Sequence, residues 1–164
     1  MFKTIGIFAH VDGGKTTFSE QLLYKSGSIR NLGRVDNQTA FLDCDNIEKE
    51  RGISVTSSAL QFNYEGYCIN ILDTPGHQDF SPGHTDFSPE AERTMSALDY
   101  AILIINGSDG VQAHTVTLFR LLENYGVPVF IFVNKCDITG FSIENTLESI
   151  REKLTEDVLF IDDF

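Results

Sequence analysis

Basic residues are scarce in this chain of 164 residues, which has 12 Lys and Arg against 24 Asp and Glu. The formal net charge is therefore −12 at pH 7. Nonspecific binding of nucleic acid needs clustered Lys and Arg that contact phosphates. We therefore expect no direct nucleic-acid binding by this domain, sequence-specific binding included. An acidic domain can still dock on RNA when other parts of a longer protein supply the basic contacts.

Cysteine and long apolar runs are also scarce. The 3 cysteines, Cys44, Cys68 and Cys136, are odd in number and fit neither a metal knuckle nor a redox pair. No apolar run reaches the roughly 18 residues that span a bilayer. No charged leader with an apolar core precedes the first patterned strand, so we expect no signal peptide. These absences predict a soluble, cytoplasmic protein with reduced thiols and no membrane partner.

The hydrophobic residues that are present, 41% of the chain, suffice for one core, and the length fits one domain. Residues 2–8 predict a strand, and the apolar runs at 100–106 and 127–134 are typical of strands buried on both faces of a parallel sheet. Residues 55–64 and 67–73 predict an antiparallel hairpin with its turn at positions 65 and 66.

Helical periodicity separates these strands. It covers residues 16–25 and 112–125, and a last helix carries Ile143, Leu147 and Ile150 at spacings of four and three. Alternating strands and helices predict an α/β fold, with a doubly wound, mostly parallel sheet and one antiparallel hairpin strand. In such sheets ligands bind beyond the carboxyl ends of the strands. We expect each of the motifs below to lie at such an end.

The first motif, AHVDGGKTT at residues 9–17, follows a strand and opens a helix. Backbone N–H groups of such a loop can surround a phosphate oxygen, and the helix dipole adds partial positive charge. Lys15 can reach the β- and γ-phosphates, and the Thr16 hydroxyl can bind Mg²⁺. This context indicates a phosphate-binding loop (P-loop), with Ala9 at the place where the pattern has Gly.

The second motif, Asp73-Thr74-Pro75-Gly76, ends a predicted strand. Asp73 can hold Mg²⁺ directly or through water, and the Gly76 N–H can approach the γ-phosphate because no side chain intervenes. Asp and Gly also favour ordinary turns, so this motif gains weight only beside the phosphate loop.

The third motif, Asn134-Lys135-Cys136-Asp137, ends a predicted buried strand. A carboxylate at Asp137 can accept hydrogen bonds from N1–H and the exocyclic amine of guanine, and adenine offers no such donor pair. Asn134 can hold the base edge and brace the phosphate loop, and the stem of Lys135 can lie along the base. This motif predicts a preference for guanine.

The fourth motif, ERGIS at residues 50–54, ends a long polar loop at residues 28–54. A hydroxyl here could complete the Mg²⁺ shell when the γ-phosphate is present, which would order the loop only in the triphosphate state. A solvated loop before a strand is the competing interpretation.

These four motifs, in this order, resemble the GTP-binding domain of translation factors of the elongation factor G type. Within that family the chain most resembles the tetracycline-resistance ribosomal protection proteins, through LLYKSG at residues 22–27, DGVQA at 109–113 and NKCDI at 134–138. Residues 50–58 also resemble the GTPase that recycles release factors. The resemblance implies a Mg-dependent GTPase that converts GTP to GDP and phosphate.

The resemblance also implies roles for individual residues. Phosphate and guanine binding fall to His10, Val11, Asp12, Gly13, Gly14, Lys15, Thr16, Thr17, Asp73, Gly76, Asn134, Lys135 and Asp137. The implied Mg²⁺ ligands are Thr16 and Ser54, with Asp73 in the outer shell. The implied catalytic residues are Lys15, Gly76 and His77, which orients the attacking water. The implied partner is the ribosome, contacted through other domains, with ribosomal RNA stimulating hydrolysis.

Three departures from the family pattern bear on function. Ser54 replaces the usual Thr. The segment PGHQDFS at residues 75–81 is repeated at once as PGHTDFS at 82–88. The repeat leaves two candidates for the catalytic histidine. It is His77 when positions are counted forward from Asp73, and His84 when they are counted back from the helix that begins near Pro89. We favour His77, because Phe80 stands where the second copy would need an Asp.

The third departure concerns the end of the sequence. We expect residues 1–164 to form one GTP-binding domain that stops before the family's final guanine-contacting loop, which would leave a sheet edge exposed to association. Two other functions remain open. One is a guanine-nucleotide binding module whose altered second switch does not hydrolyse GTP, and the other is a P-loop ATPase or small-molecule kinase, which the guanine motif disfavours.

Overall fold

The structure, a computed structural model, describes residues 1–10, 12–29, 58–73 and 89–161. Strands and helices alternate along these residues. They are β1 (Phe2–Ala9), α1 (Lys15–Lys25), β2 (Ser58–Tyr64), β3 (Tyr67–Asp73), α2 (Pro89–Ser96), β4 (Tyr100–Asn106), α3 (Ala113–Asn124), β5 (Val129–Asn134) and α4 (Ile143–Lys153). The predicted strands and helices agree with these bounds to within two residues, and the helix predicted to begin near Pro89 begins there. Residues 55–57 of the predicted hairpin lie outside the described residues.

The strands form a sheet in the order β2-β3-β1-β4-β5. β1 pairs in parallel with both β3 and β4, and β4 pairs in parallel with β5. Among the strands that the structure describes, the β2–β3 pair alone is antiparallel, and its turn places Glu65 (φ 47°) and Gly66 (φ 82°) in the left-handed region. The predicted α/β fold, with a mostly parallel sheet and one antiparallel hairpin strand, is confirmed.

Helices cover both faces of the sheet. Alternate residues of a strand point to opposite faces, and apolar residues on each face are buried against helices. On one face, Leu23 of α1 packs with Ile7, Ile71 and Ile104. On the other face, Phe8 and Leu103 pack against buried residues of α2 and α3, among them Met95, Leu118 and Leu122. α4 extends this second layer through Ile150, which packs with Ile105 and Val111.

β5 departs from the sequence prediction. Its apolar run predicted burial on both faces, but Phe130 is 54% exposed and Phe132 is 41% exposed. Both lie on the α1 side of the sheet, where the Phe132 ring reaches Phe18 of α1 at a centroid distance of 4.7 Å. The physical reason is position, since β5 is the edge strand of the sheet and has a neighbouring strand on one side only.

None of the helices within the described ranges is both long and apolar enough to cross a membrane.

Candidate functional site

The carboxyl ends of four parallel strands meet along one edge of the sheet. β1 lies in the middle, with β3 on one side and β4 on the other, so the chain passes to one side after β1 and crosses to the opposite side after β3. Ile7 is in register with Asp73, Ala9 with Ile104, and Asn106 with Asn134. A crevice at such a switch point is where open α/β sheets bind ligands. Three of the four predicted motifs begin or end at this edge.

The loop after β1 turns tightly before α1 begins. The N–H of buried Gly13 donates to the carbonyl oxygen of His10 at 3.0 Å, which closes the turn. Asp12 (φ 58°) and Gly14 (φ 88°) both adopt left-handed conformations. A Cβ atom at Gly13 would lie only 2.9 Å from the His10 carbonyl oxygen, and one at Gly14 would collide with the side chain of Asn134. Glycine at these two positions therefore permits the tight turn and the close approach of Asn134 to the loop.

The loop leads directly into the amino end of α1. Gly14 caps this helix without a side-chain hydrogen bond, and its first turn contains no acidic residue. The first backbone N–H groups of a helix lack partners within the helix and carry partial positive charge, so this end suits an anion. Lys15 and Thr16 are half-buried at this end, while Thr17 is exposed. An ammonium group and a hydroxyl beside open backbone amides fit a nucleotide phosphate with its Mg²⁺.

Asn134 connects the end of β5 to this loop across 121 residues of sequence. Its Nδ2 donates to the carbonyl oxygen of Gly13 at 2.9 Å. Its own carbonyl oxygen accepts from the N–H of Gly107 at 2.8 Å, which joins it to the loop after β4. The contact expected between Asn134 and the phosphate loop is therefore present.

The residues that follow Asn134 turn sharply away from the strand. Lys135 is half-buried and has φ 59°, and the Cys136 thiol donates to the carbonyl oxygen of Val133 at 3.4 Å. Asp137 is exposed, so its carboxylate keeps its acceptor capacity at the rim of the crevice. This turn gives the segment what a base-recognition loop needs, namely a strand end fixed to the phosphate loop and an accessible carboxylate.

The structure describes the other predicted site residues only in part or not at all. The backbone of Asp73 ends β3 beside β1, but its side chain lies outside the described residues. Entirely outside them are Val11, Ser54, Gly76, His77 and His84. The predicted Mg²⁺ ligands and the catalytic histidine therefore stay predictions.

Two supporting residues were not identified from the sequence. A Cβ atom at Gly107 would lie 3.0 Å from the carbonyl oxygen of Asn134 and 2.8 Å from the ring of Phe141, so only glycine permits this approach of the β4 loop. The ring of His114, in the first turn of α3, lies 6.0 Å from that of His10. A glycine just after a buried strand was a usable signal for Gly107, whereas periodicity gave no signal for His114.

The comparisons with known proteins agree with this geometry. The family model of the elongation factor Tu GTP-binding domain matches residues 2–163. The tetracycline resistance protein TetM of Ureaplasma urealyticum is 43% identical over 155 residues, which are 94% of this chain and 23% of that protein. The mitochondrial ribosome-releasing factor 2 of Pongo abelii is 44% identical over 152 residues, 93% of this chain and 19% of that protein.

A similar solved structure comes from Thermus thermophilus. It superposes with a TM-score of 0.80 at 30% identity, over 94% of this chain and 22% of that chain. The chain thus spans about a fifth of the length of the proteins that it matches. The match with the family model extends from β1 through every element described above. Because it covers nearly the whole chain, this chain belongs to the family of elongation factor Tu GTP-binding domains.

Proposed function

We propose that this chain binds GTP with Mg²⁺ and hydrolyses it to GDP and phosphate, as the GTP-binding domain of a ribosome-associated translational GTPase. The main observation that supports the proposal is the hydrogen bond from Asn134 to Gly13, because it holds the guanine motif against the phosphate loop. The whole chain would act as one such domain, in keeping with the family match over residues 2–163. We expect it to work in the cytoplasm, where translation takes place.

Each part of the nucleotide would meet a different segment. The remaining loop amides and the Lys15 ammonium would hold the phosphates, and Asn134, Lys135 and Asp137 would hold guanine. Thr16 and Ser54, with Asp73 in the outer shell, would hold Mg²⁺, which neutralises phosphate charge when bound. His77, beside Gly76, would orient the water that attacks the γ-phosphate in line. Positioning and charge stabilisation would supply most of the rate enhancement.

A role in ribosomal protection against tetracycline is the finer form of this proposal. The similarity to TetM supports it. A release-factor-recycling type of GTPase is supported by the resemblance of residues 50–58 to that GTPase. The 44% identity to a ribosome-releasing factor supports a ribosome-associated role more generally. In either case the ribosome would be the partner, and its RNA would stimulate hydrolysis.

One sequence feature favours a second candidate function, a guanine-nucleotide binding module that does not hydrolyse GTP. The repeat of PGHQDFS as PGHTDFS at residues 75–88 lengthens the second switch. A longer loop could displace the water-orienting histidine while leaving the phosphate loop intact.

Single-turnover GTP hydrolysis, with and without ribosomes, tests the proposal. We expect slow hydrolysis by the chain alone, because the partner that orders the switch is absent. His77→Ala should abolish the ribosome-stimulated rate, while His84→Ala should leave it largely unchanged. Tight GTP binding with no hydrolysis in any condition would favour the binding module, and tighter binding of ATP than of GTP would contradict both.

A further inference from the structure

A pair of histidine rings joins α3 to the phosphate loop. His10 follows β1 within the loop, and His114 is the second residue of α3. Their ring centroids are 6.0 Å apart and their planes are inclined by 69°, which is an edge-to-face arrangement. Ring pairs attract at centroid separations of about 4.5–7 Å. Both side chains are half-buried, so the contact is partly shielded from water.

His10 occupies a position from which the loop can be displaced. Its carbonyl oxygen accepts the Gly13 N–H at 3.0 Å. The Gly13 carbonyl oxygen in turn accepts from Asn134 at 2.9 Å. A shift of His10 therefore moves the turn whose amides would surround the phosphate. Asn134 holds this turn from the β5 side, and the His114 ring contacts it from the α3 side.

The start of α3 is held in place because several of its residues are buried in the core. Thr115 is 2% exposed, Leu118 is 2% exposed, and Val111 just before the helix is 4% exposed. A side chain presented by such a helix start has little freedom to move, since its neighbours are closely packed.

We propose that His114 is a positioning residue for nucleotide binding, whose ring holds His10 and so keeps the phosphate loop in its binding conformation. The proposal rests on the function proposed above, because it assumes that this loop binds the nucleotide. His114 would act through His10 and need not touch the nucleotide. One edge-to-face ring contact corresponds to a change of about two- to twelve-fold in affinity.

Two variants at position 114 distinguish the effect of the ring contact from the effect of side-chain bulk alone. His114→Leu keeps the bulk of the side chain without a ring, and His114→Phe keeps a ring. The affinity for N-methylanthraniloyl-GDP, measured by fluorescence with Mg²⁺ present, should fall about two- to twelve-fold in His114→Leu and change less than twofold in His114→Phe. Arg120→Gln, at an exposed position of the same helix, should bind as the unmodified chain does.

A double-mutant cycle shows whether His114 acts through His10. If it does, His114→Leu should weaken binding no further once His10 has been replaced by Ala. Unchanged affinity in His114→Leu, or fully additive losses in the double variant, would overturn the proposal and leave the proposed function standing. Failure of the unmodified chain to bind the fluorescent nucleotide would overturn the proposed function and this inference together. Melting temperatures without nucleotide identify any variant that is merely less stable.

Discussion

Asn134 joins two segments that lie far apart in the chain, namely the phosphate loop and the end of β5, where the guanine motif begins. Its amide satisfies the Gly13 carbonyl oxygen in a part-buried position. An acceptor left without a partner there would cost about 1–3 kcal/mol. A single side chain thus connects the predicted base-binding and phosphate-binding regions.

Replacing Asn134 by Ala should therefore weaken guanine-nucleotide binding by about tenfold, which corresponds to about 1.4 kcal/mol. Isothermal titration with GDP and Mg²⁺ measures this loss. Asn124→Ala, at the exposed end of α3, removes an amide far from the loop and should leave affinity unchanged. Equal affinities for the two variants would contradict the bridging role.

Single residues were predictable where a motif fixes their chemistry. The segment Gly14-Lys15-Thr16 between a strand and a helix predicted a phosphate-binding loop, and the structure places Gly14 at the start of α1, where it caps the helix. Gly107 and His114 were not predicted, because each acts through a neighbour that only the folded chain brings close. Gly107 is required by the carbonyl oxygen of Asn134, which lies 27 positions later in the sequence.

Among the elements, β1 and β4 are fastened together near their starts by Asp99. Its Oδ2 accepts from the Thr4 backbone N–H at 2.8 Å, and its Oδ1 lies 3.5 Å from the Lys3 ammonium. The hydrogen bond from Thr4, helped by the nearby charge of Lys3, holds the pKa of the Asp99 carboxyl below its ordinary value of 3.8. The folded state therefore favours the ionised form of this carboxyl.

The stability that this carboxylate contributes should consequently depend on pH. Because its folded-state pKa is lowered, the contribution is fully present above pH 3.8 and is lost as the pH falls through the folded-state pKa. Asp99→Asn should lower the melting temperature at pH 7, and the difference from the unmodified chain should shrink below pH 3.8. A difference that stays constant over this range would contradict the assignment.

α4 begins with a side-chain cap. Ser142 Oγ accepts from the Asn145 backbone N–H at 3.3 Å and donates to Glu144 Oε2 at 2.9 Å. The pKa of Glu144 is lowered, first by a hydrogen bond from its own backbone N–H and then by the Ser142 hydroxyl. These contacts satisfy amides that the first turn of a helix leaves without partners.

Ser142→Ala should destabilise the fold by about 0.5–2 kcal/mol, because it removes this cap. Urea unfolding followed by circular dichroism measures the change. Ser142→Thr keeps the hydroxyl and should recover most of the loss. Equal stabilities of the Ala and Thr variants would show that the cap contributes nothing.

For the whole molecule, the sequence predicted the α/β alternation and the hairpin, because hydrophobic periodicity reports local structure directly. It did not predict that β5 exposes Phe130 and Phe132. An apolar run shows only that a strand is suited to burial. Whether both faces of the strand are buried depends on which other elements pack against each face. The predicted ligands Ser54 and His77 lie outside the described residues, so their roles stay predictions.

The central claim is that strand-end loops converge on one Mg·GTP and that Asp137 selects the base. Competitive titration with GDP and ADP in the presence of Mg²⁺ tests it most directly. We predict that GDP binds at least about a hundredfold more tightly, because a site built to accept the donors of guanine leaves its polar groups unpaired with adenine. Asp137→Ala should remove most of that preference. Equal binding of the two nucleotides, or binding of neither, would contradict the claim.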